Sequence, residues 1–348
     1  MSLHLVLCLF SYLLLTQVAE GNIDSILKDF DCVDIYKQPA FQHPLLKHHK
    51  IQEKFSSNEK LKRKDEYQPN EKYCPKGTVP ILRQRNGPES FHPDTVEYPG
   101  QHFAVLENML DGSIYRGADA LISLHNLTLL NNQYSKDQIW LENGPRDQLN
   151  SIQFGLAVHP RLYGDSLTRF TIYWTGDGYK RTGCYNTKCP GFVIVSRVPL
   201  IGTIFADTSV YGGNETVYTN PKVFQDGFSG NWILRIFDRV VGYWPKELFT
   251  HLNKGASLVR FGGNTFPSPD GFSPPMGNGY FPSHDFYKSS HFSKVKVKNS
   301  NYETIDFEKQ RTKRYADSYQ CYRLTYWGYN QHNRVSFSYG GPGGQCGT

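Results

Sequence analysis

Thr168-Arg169-Phe170-Thr171-Ile172-Tyr173-Trp174-Thr175 puts Phe170, Ile172 and Trp174 on one side of an extended chain and Arg169, Thr171 and Tyr173 on the other. Strict alternation is the mark of a strand with one face on a core. The following Gly176-Asp177-Gly178-Tyr179 predicts an Asp-Gly turn, then a returning strand and a small loop closed by Cys184 and Cys189. Outward from this hairpin the pattern repeats. Trp232, Leu234 and Ile236 alternate against Ile233, Arg235 and Phe237, and Val335, Phe337 and Tyr339 against Ser336 and Ser338. Short apolar-containing runs at His102–Leu106, Ser113–Ala118 and Ala120–Leu124 are separated by Gly, Asp and Asn. Period two with frequent turn residues predicts an all-β chain, an antiparallel sandwich or barrel. One helix is expected, from Pro245 through Glu247, Leu248, Phe249 and Leu252 to a stop at Lys254-Gly255.

Composition agrees. The 348 residues include 23 Tyr, 22 Phe, 31 Gly and 20 Pro, which favours short pleated elements and excludes a helical bundle or coiled coil. A net charge of +6 is the difference of 38 basic and 32 acidic residues spread along the chain. No concentrated basic face exists for nucleic acid.

Leu5-Val6-Leu7-Cys8-Leu9-Phe10 with Leu13-Leu14-Leu15, followed by Ala19 and Gly21, reads as a signal peptide over residues 1–21, cleaved after Gly21. No later run reaches the length of a bilayer, so the expected product is secreted and extracellular, with no membrane partner. Loss of Cys8 leaves Cys32, Cys74, Cys184, Cys189, Cys321 and Cys346, an even set that reads as three disulfides. Of the 15 possible pairings, neighbourhood favours Cys32–Cys74, Cys184–Cys189 and Cys321–Cys346. Asn126-Leu-Thr and Asn214-Glu-Thr are sequons, so Asn126 and Asn214 are expected to carry glycans. Residues 22–99 are lysine-rich, broken by prolines and poor in apolar periodicity, the properties of a pro-segment that leans on a neighbour; residues 100–348 form the main domain.

No nucleophile elbow, zinc helix, phosphate loop or dinucleotide fingerprint occurs, and the twelve histidines have no metal spacing, so no metal and no cofactor are expected. Gly340-Gly341-Pro342-Gly343-Gly344 reads as a terminal turn, not an anion cradle. What is distinctive is the hairpin segment from Tyr173 to Val193. It resembles the neprosin family of plant glutamic peptidases, as do Val241-Gly-Tyr-Trp244-Pro245, Asn253-Lys-Gly255-Ala256, Phe261-Gly262-Gly263, Met276-Gly277-Asn-Gly279 and Tyr339-Gly340-Gly341-Pro342-Gly343. Asp31-Cys32-Val33-Asp34-Ile35-Tyr36-Lys37-Gln38-Pro39-Ala40-Phe41, His43-Pro44-Leu45-Leu46-Lys47 and Cys74-Pro75-Lys76-Gly77 resemble the neprosin activation peptide. The resemblance implies a secreted plant precursor in the apoplast, a β-sandwich of two antiparallel sheets, and endopeptidase cleavage after proline in acid by two glutamates. It also places the mature N-terminus near Pro99 or Gln101.

At the two glutamate positions that the resemblance implies, this chain has amides. Asn150-Ser151-Ile152-Gln153-Phe154-Gly155 carries Gln153, and Gly262-Gly263 is followed by Asn264. Neither amide ionises, so no general base remains, and no Asp or Glu lies within three positions of either. The leading expectation is a catalytically impaired member that retains a site for proline-rich peptides or cell-wall polymers. The alternative is an active prolyl endopeptidase with a rewired carboxylate, Asp177 being the substitute considered first, with Asp165 and Glu142 behind it. Asp177 and Asp165 also read as turn formers, and Glu142 as a strand end. A carbohydrate-active enzyme is a third reading and would need two carboxylates across a cleft.

Overall fold

The computed structural model describes residues 29–55, 74–83 and 100–347. The predicted signal peptide lies outside them. The leading segment supplies β1 (Phe30–Asp34) and β2 (Thr78–Leu82), paired with one another. The main domain runs β3 (His102–Asn108), β4 (Gly117–Ser123), β5 (Tyr134–Asn143), β6 (Asn150–Val158), β7 (Arg169–Thr175), β8 (Cys184–Tyr185), β9 (Val193–Ile194), β10 (Tyr218–Thr219), β11 (Pro221–Gln225), β12 (Trp232–Ile236) and β13 (Arg239–Trp244). It continues with β14 (Leu258–Phe266), β15 (Phe272–Ser273), β16 (His291–Lys298), β17 (Thr304–Asp306), β18 (Thr312–Ala316), β19 (Arg323–Asn330), β20 (Arg334–Gly340) and β21 (Gly344–Gln345).

Two antiparallel sheets carry the fold. A seven-stranded sheet has the order β18-β3-β14-β5-β6-β7-β8. A ten-stranded sheet has the order β19-β20-β16-β4-β11-β12-β13-β9, with β10 on β4 and β17 on β16. Alternation decides which side of each strand enters the core between them. Ile139 and Leu141, Ile152 and Phe154, Ile172 and Trp174, and Val259 and Phe261 come from the first sheet; Ala118, Ile122, Val223, Leu234, Phe292 and Phe337 come from the second. The chain is therefore a two-sheet antiparallel sandwich. Cys32–Cys74, Cys184–Cys189 and Cys321–Cys346 are bonded.

The hairpin at Thr168 is more open than its sequence suggests. β7 meets β8 through Tyr173 opposite Tyr185, so residues 176–183 form a loop in which Asp177-Gly178 is one corner. The helix expected over 245–254 is absent: two separate 3₁₀ turns, Lys246–Leu248 and Leu252–Lys254, stand there instead. Asn150 separates them, because its side-chain oxygen accepts from the backbone of His251 and Leu252 and so competes with a continuous helical ladder. The runs predicted as 113–118 and 120–124 merge into the single strand β4.

The leading segment packs into the sandwich. Leu46 and Val79 belong to its main core, and Ala40 packs with Val193, Phe224, Ile233 and Tyr243. Gln38 extends the edge at β9 with its side chain: Oε1 accepts from Ile194 N–H at 2.7 Å, and Nε2 donates to Ile194 C=O at 3.1 Å. Tyr243 hydroxyl meets His49 Nε2 and Gln52 N–H, each at 2.9 Å.

Candidate functional site

Residues of opposite parity to the core set form the other face of the seven-stranded sheet. Gln153 and Asn264 both lie on it, on strands separated by β5. Gln153 stands between Trp140 of β5 and Tyr173 of β7, and Asn264 between Lys136 of β5 and Phe103 of β3. Their partners on β5 are four residues apart, about 13 Å along a strand, so the two amides occupy opposite corners of a diagonal. Midway along it is Gln138, flanked by Gly155 of β6 and Gly262 of β14. Both glycines have positive φ, 151° and 147°. A Cβ would meet the Asp137 carbonyl at 2.3 Å from Gly155, and the Ala104 carbonyl at 2.2 Å from Gly262. Replacing Gly155 by alanine is expected to destabilise the chain by about 3 kcal/mol, from backbone overlap plus strained φ. Urea unfolding at constant m checks this.

Gln153 is buried, and its Nε2 donates to Tyr179 hydroxyl at 3.0 Å and, more weakly, to Ser151 Oγ at 3.4 Å. Ser151 in turn donates to Glu142 Oε1 at 2.8 Å. From there charge continues across the sheet: Glu142 Oε2 lies 3.5 Å from an Arg260 nitrogen, Arg260 Nε donates to Glu107 at 2.7 Å, and Lys313 Nζ reaches Glu107 at 3.0 Å. Both carboxylates are buried, and each has a cation beside it.

The other corner is cationic and aromatic. Lys136 is 4% exposed, and its ammonium sits over the rings of Tyr134 at 4.3 Å, Tyr185 at 5.0 Å and Tyr173 at 5.4 Å. His159 closes the group, 5.1 Å from Tyr134 and 5.2 Å from Tyr185. Burial holds its imidazole well below the ordinary range, with Lys136, Lys188 and Arg161 pushing the same way. Asn264 donates to Gln101 Oε1 at 2.9 Å.

The other sequence candidates lie elsewhere. Asp177 is engaged in its own turn, Oδ1 accepting from the Lys180 and Thr182 amides and the Thr182 hydroxyl, and Oδ2 from the Arg181 amide. Asp165 forms a bidentate pair with Arg169 and accepts from Leu167 N–H. Glu142, ranked behind Asp177 in the sequence reading, is the carboxylate one hydroxyl removed from Gln153. The hairpin register brings it there, placing Glu142 opposite Ser151 and Trp140 opposite Gln153. Tyr179, Lys136 and Gln138 were not singled out by sequence. For Lys136 and Gln138 the signal is parity, since 136, 138, 140 and 142 share a face once 139 and 141 are assigned to the core, whereas Tyr179 lies in the loop after β7 and carries no such signal. Among the described residues no three His, Cys, Asp or Glu gather in a way that holds a metal, and no helix is long and apolar enough to cross a membrane.

The fold is a two-sheet antiparallel sandwich with a disulfide-stapled leading segment and a polar, aromatic face on its smaller sheet. The Neprosin family model matches residues 131–342, and the Neprosin activation peptide model matches residues 23–88, so the chain belongs to the neprosin family. Among solved structures it is similar to Scytalido-glutamic peptidase bound to a peptide-based transition-state analogue. That match has 12% identity and a TM-score of 0.37, covering 70% of this chain and 100% of that one. A second structure of the same peptidase, with a transition-state analogue inhibitor, matches at 11% identity and a TM-score of 0.35, covering 70% and 98%.

Proposed function

We propose that this chain is an exported neprosin-family protein in which the acid hydrolysis mechanism is disabled and an extended-chain binding face is retained. The observation that carries the reading is the pair of carboxamides at Gln153 and Asn264. Each spends its N–H on a neutral partner, Tyr179 hydroxyl in one case and Gln101 carbonyl in the other. A dyad needs one carboxylate to activate water and one carboxyl to donate a proton, and an amide does neither. Tyr134, Trp140, Tyr173, Tyr179 and Tyr185 line this face with buried rings, a lining whose chemistry suits proline-rich peptides, which are pre-extended and lose little entropy on binding. Cell-wall polymers remain the other ligand class, favoured by the net positive charge. Asn126 and Asn214 are exposed, as glycan acceptors must be.

A second reading has one specific observation behind it. Glu142 reaches Gln153 through Ser151, so a Glu plus Gln pairing could be assembled by relay. Incubating the full exported chain at pH 3 with a proline-containing peptide separates the two. The expected result is an intact peptide and an unchanged N-terminal mass. Cleavage that disappears in Glu142→Gln would establish the relay instead, and cleavage that survives it would show that Gln153 and Asn264 are not the dyad positions.

A further inference from the structure

Tyr211, in the loop between β9 and β10, and Tyr280, in the loop between β15 and β16, stack ring on ring at 4.0 Å with 27° between their planes. They are 46% and 51% exposed, so each ring, covered by the other on one face, keeps about half of its surface in water. The next residue, Phe281, and the exposed Tyr319 hold the guanidinium of Arg323, whose central carbon lies 4.1 Å from the first ring centroid and 4.8 Å from the second. Arg323 Nε donates to the Tyr319 carbonyl at 3.2 Å, and no carboxylate among the described residues pairs with the group. The acids nearest in sequence are committed elsewhere. Asp317 accepts from Phe103 N–H and lies 3.0 Å from His102 Nδ1, and Asp285 accepts from Tyr287 N–H with Lys288 Nζ at 3.3 Å. The frame is fixed: Gly212 N–H donates to the Tyr287 carbonyl at 2.7 Å, Trp327 Nε1 to the Ser283 carbonyl at 2.9 Å, and Cys321–Cys346 anchors the turn between Tyr319 and Arg323. None of these residues belongs to the seven-stranded sheet, and Arg323 opens β19, at the edge of the ten-stranded one.

A single exposed ring needs no explanation, but four rings around one unpaired cation form a patch of the kind that marks an interaction site. Stacking leaves the in-plane N–H groups of a guanidinium free, the fork that meets a carboxylate with two parallel hydrogen bonds. We propose that this surface binds an acidic polysaccharide built of uronic acid rings. A uronate supplies both complements at once: the C–H bonds of its flat face cover a tyrosine ring, and its carboxylate stands at the ring edge. Tyr280 and Phe281 are consecutive, so the stacking surface and the cation lie side by side and adjacent sugars of one polymer take both. An acidic peptide brings the charge without the flat face, and a neutral glucan the face without the charge. The proposal goes beyond the peptide reading above and shares no residue with the face that carries Gln153 and Asn264, so either fails without the other.

The test titrates the full exported chain by calorimetry with de-esterified polygalacturonate, the same polymer fully methyl-esterified, and poly-glutamate. Physiological ionic strength keeps the net charge of +6 from holding the polymer by itself. The de-esterified polymer is expected to bind, and its methyl ester about tenfold more weakly, a comparison that requires no protein variant. Arg323→Gln is expected to weaken the de-esterified polymer about tenfold and to erase the difference between the two forms. Arg323→Lys, which keeps the charge and loses the fork, is expected to fall between, and it carries the same test should Arg323→Gln fold poorly. Tyr211→Ser and Tyr280→Ser change no charge and are each expected to weaken both forms of the polymer alike, by about fivefold. Poly-glutamate that binds as tightly as polygalacturonate, or affinity untouched by both tyrosine changes, reduces the surface to a general anion contact and overturns the proposal. A preference for the free acid that survives in a folded Arg323→Gln variant overturns it as well, and so does a parent chain that binds neither form of the polymer.

Discussion

Restoring both carboxylates, in Q153E/N264E, is expected to raise hydrolysis of a proline-containing peptide at pH 3–4 by at least about 100-fold over the parent chain. Each acid or base lost from such a mechanism typically costs 10²–10⁴-fold, so two restorations should exceed any background. The surroundings already suit the two roles. At position 264 the introduced carboxylate lies opposite Lys136, whose buried ammonium favours the ionised form, the state required of a base. At position 153 it shares Ser151 with Glu142, and two carboxylates around one hydroxyl push one of them toward protonation, the state required of an acid. Tyr179 can turn its hydroxyl to donate where it now accepts. Product mass spectrometry gives the readout. A folded double variant that leaves the peptide whole would remove these two positions from the argument.

The second large effect is on stability. Asp137 is on the core-side parity of β5, opposite Gly263 of β14 and beside Tyr339, and burial pushes its carboxyl up to about 7, with Tyr339 hydroxyl pulling part of the way back. The unfolded chain holds that proton only below about 4. The folded state thus binds the extra proton between about 4 and 7, and stability falls as pH rises through that window, then stays low above it. D137N removes the penalty. It should stabilise the protein at pH 8 by up to roughly 4 kcal/mol and change little at pH 4. Two buried histidines slope the other way. Burial lowers His125 to about 3 and His291 to about 4, so their contribution is complete above about 6.5 and is lost as pH falls toward those values. Two rising slopes against one falling slope place the parent's greatest stability near pH 6.5, and D137N should replace the decline above that pH with a plateau. Denaturation midpoints at pH 4, 5, 6.5 and 8 check this; a D137N variant no more stable than the parent at pH 8 would mean that burial does not raise the Asp137 carboxyl in the folded chain.

How much was legible in the sequence depended on whether alternation was uninterrupted. β7, β12 and β20 could be read from Phe170-Ile172-Trp174, Trp232-Leu234-Ile236 and Val335-Phe337-Tyr339, because no glycine interrupts these runs and the register shifts beside β12 and β20 place the extra residue on the partner strands β13 and β19. β16 could not. Its register shifts between Ser293 and Lys296, with Lys294 at φ 52°, so Phe292, Val295 and Val297 all reach the core with parity reversed midway. β14 was hidden by Gly262-Gly263, which interrupt the alternation between Leu258, Val259 and Phe261 on one side and Phe266 on the other. The expected helix failed because the periodicity of Leu248, Phe249 and Leu252 says nothing about Asn150, about a hundred residues earlier, whose side chain caps the backbone there. The site was half legible. Resemblance located Gln153 and Asn264, but Glu142, Lys136 and Gln138 join them only through the β5–β6 and β5–β14 registers, which depend on loops whose conformation local sequence does not determine.

The Cys32–Cys74 bond, seen earlier as a staple, also governs what a cut can accomplish. Its sulfurs close a ring of chain around residues 33–73, and within that ring Ala40 and Leu46 are buried against the sandwich. A single scission inside the ring leaves both fragments covalently joined and both anchors seated, so the molecule keeps its mass under non-reducing conditions. A cut beyond Leu82 would release the ring together with β2 as one body, and would leave a sandwich lacking the core atoms of Leu46 and Val79. A chain cut there would have to close over the space those side chains fill.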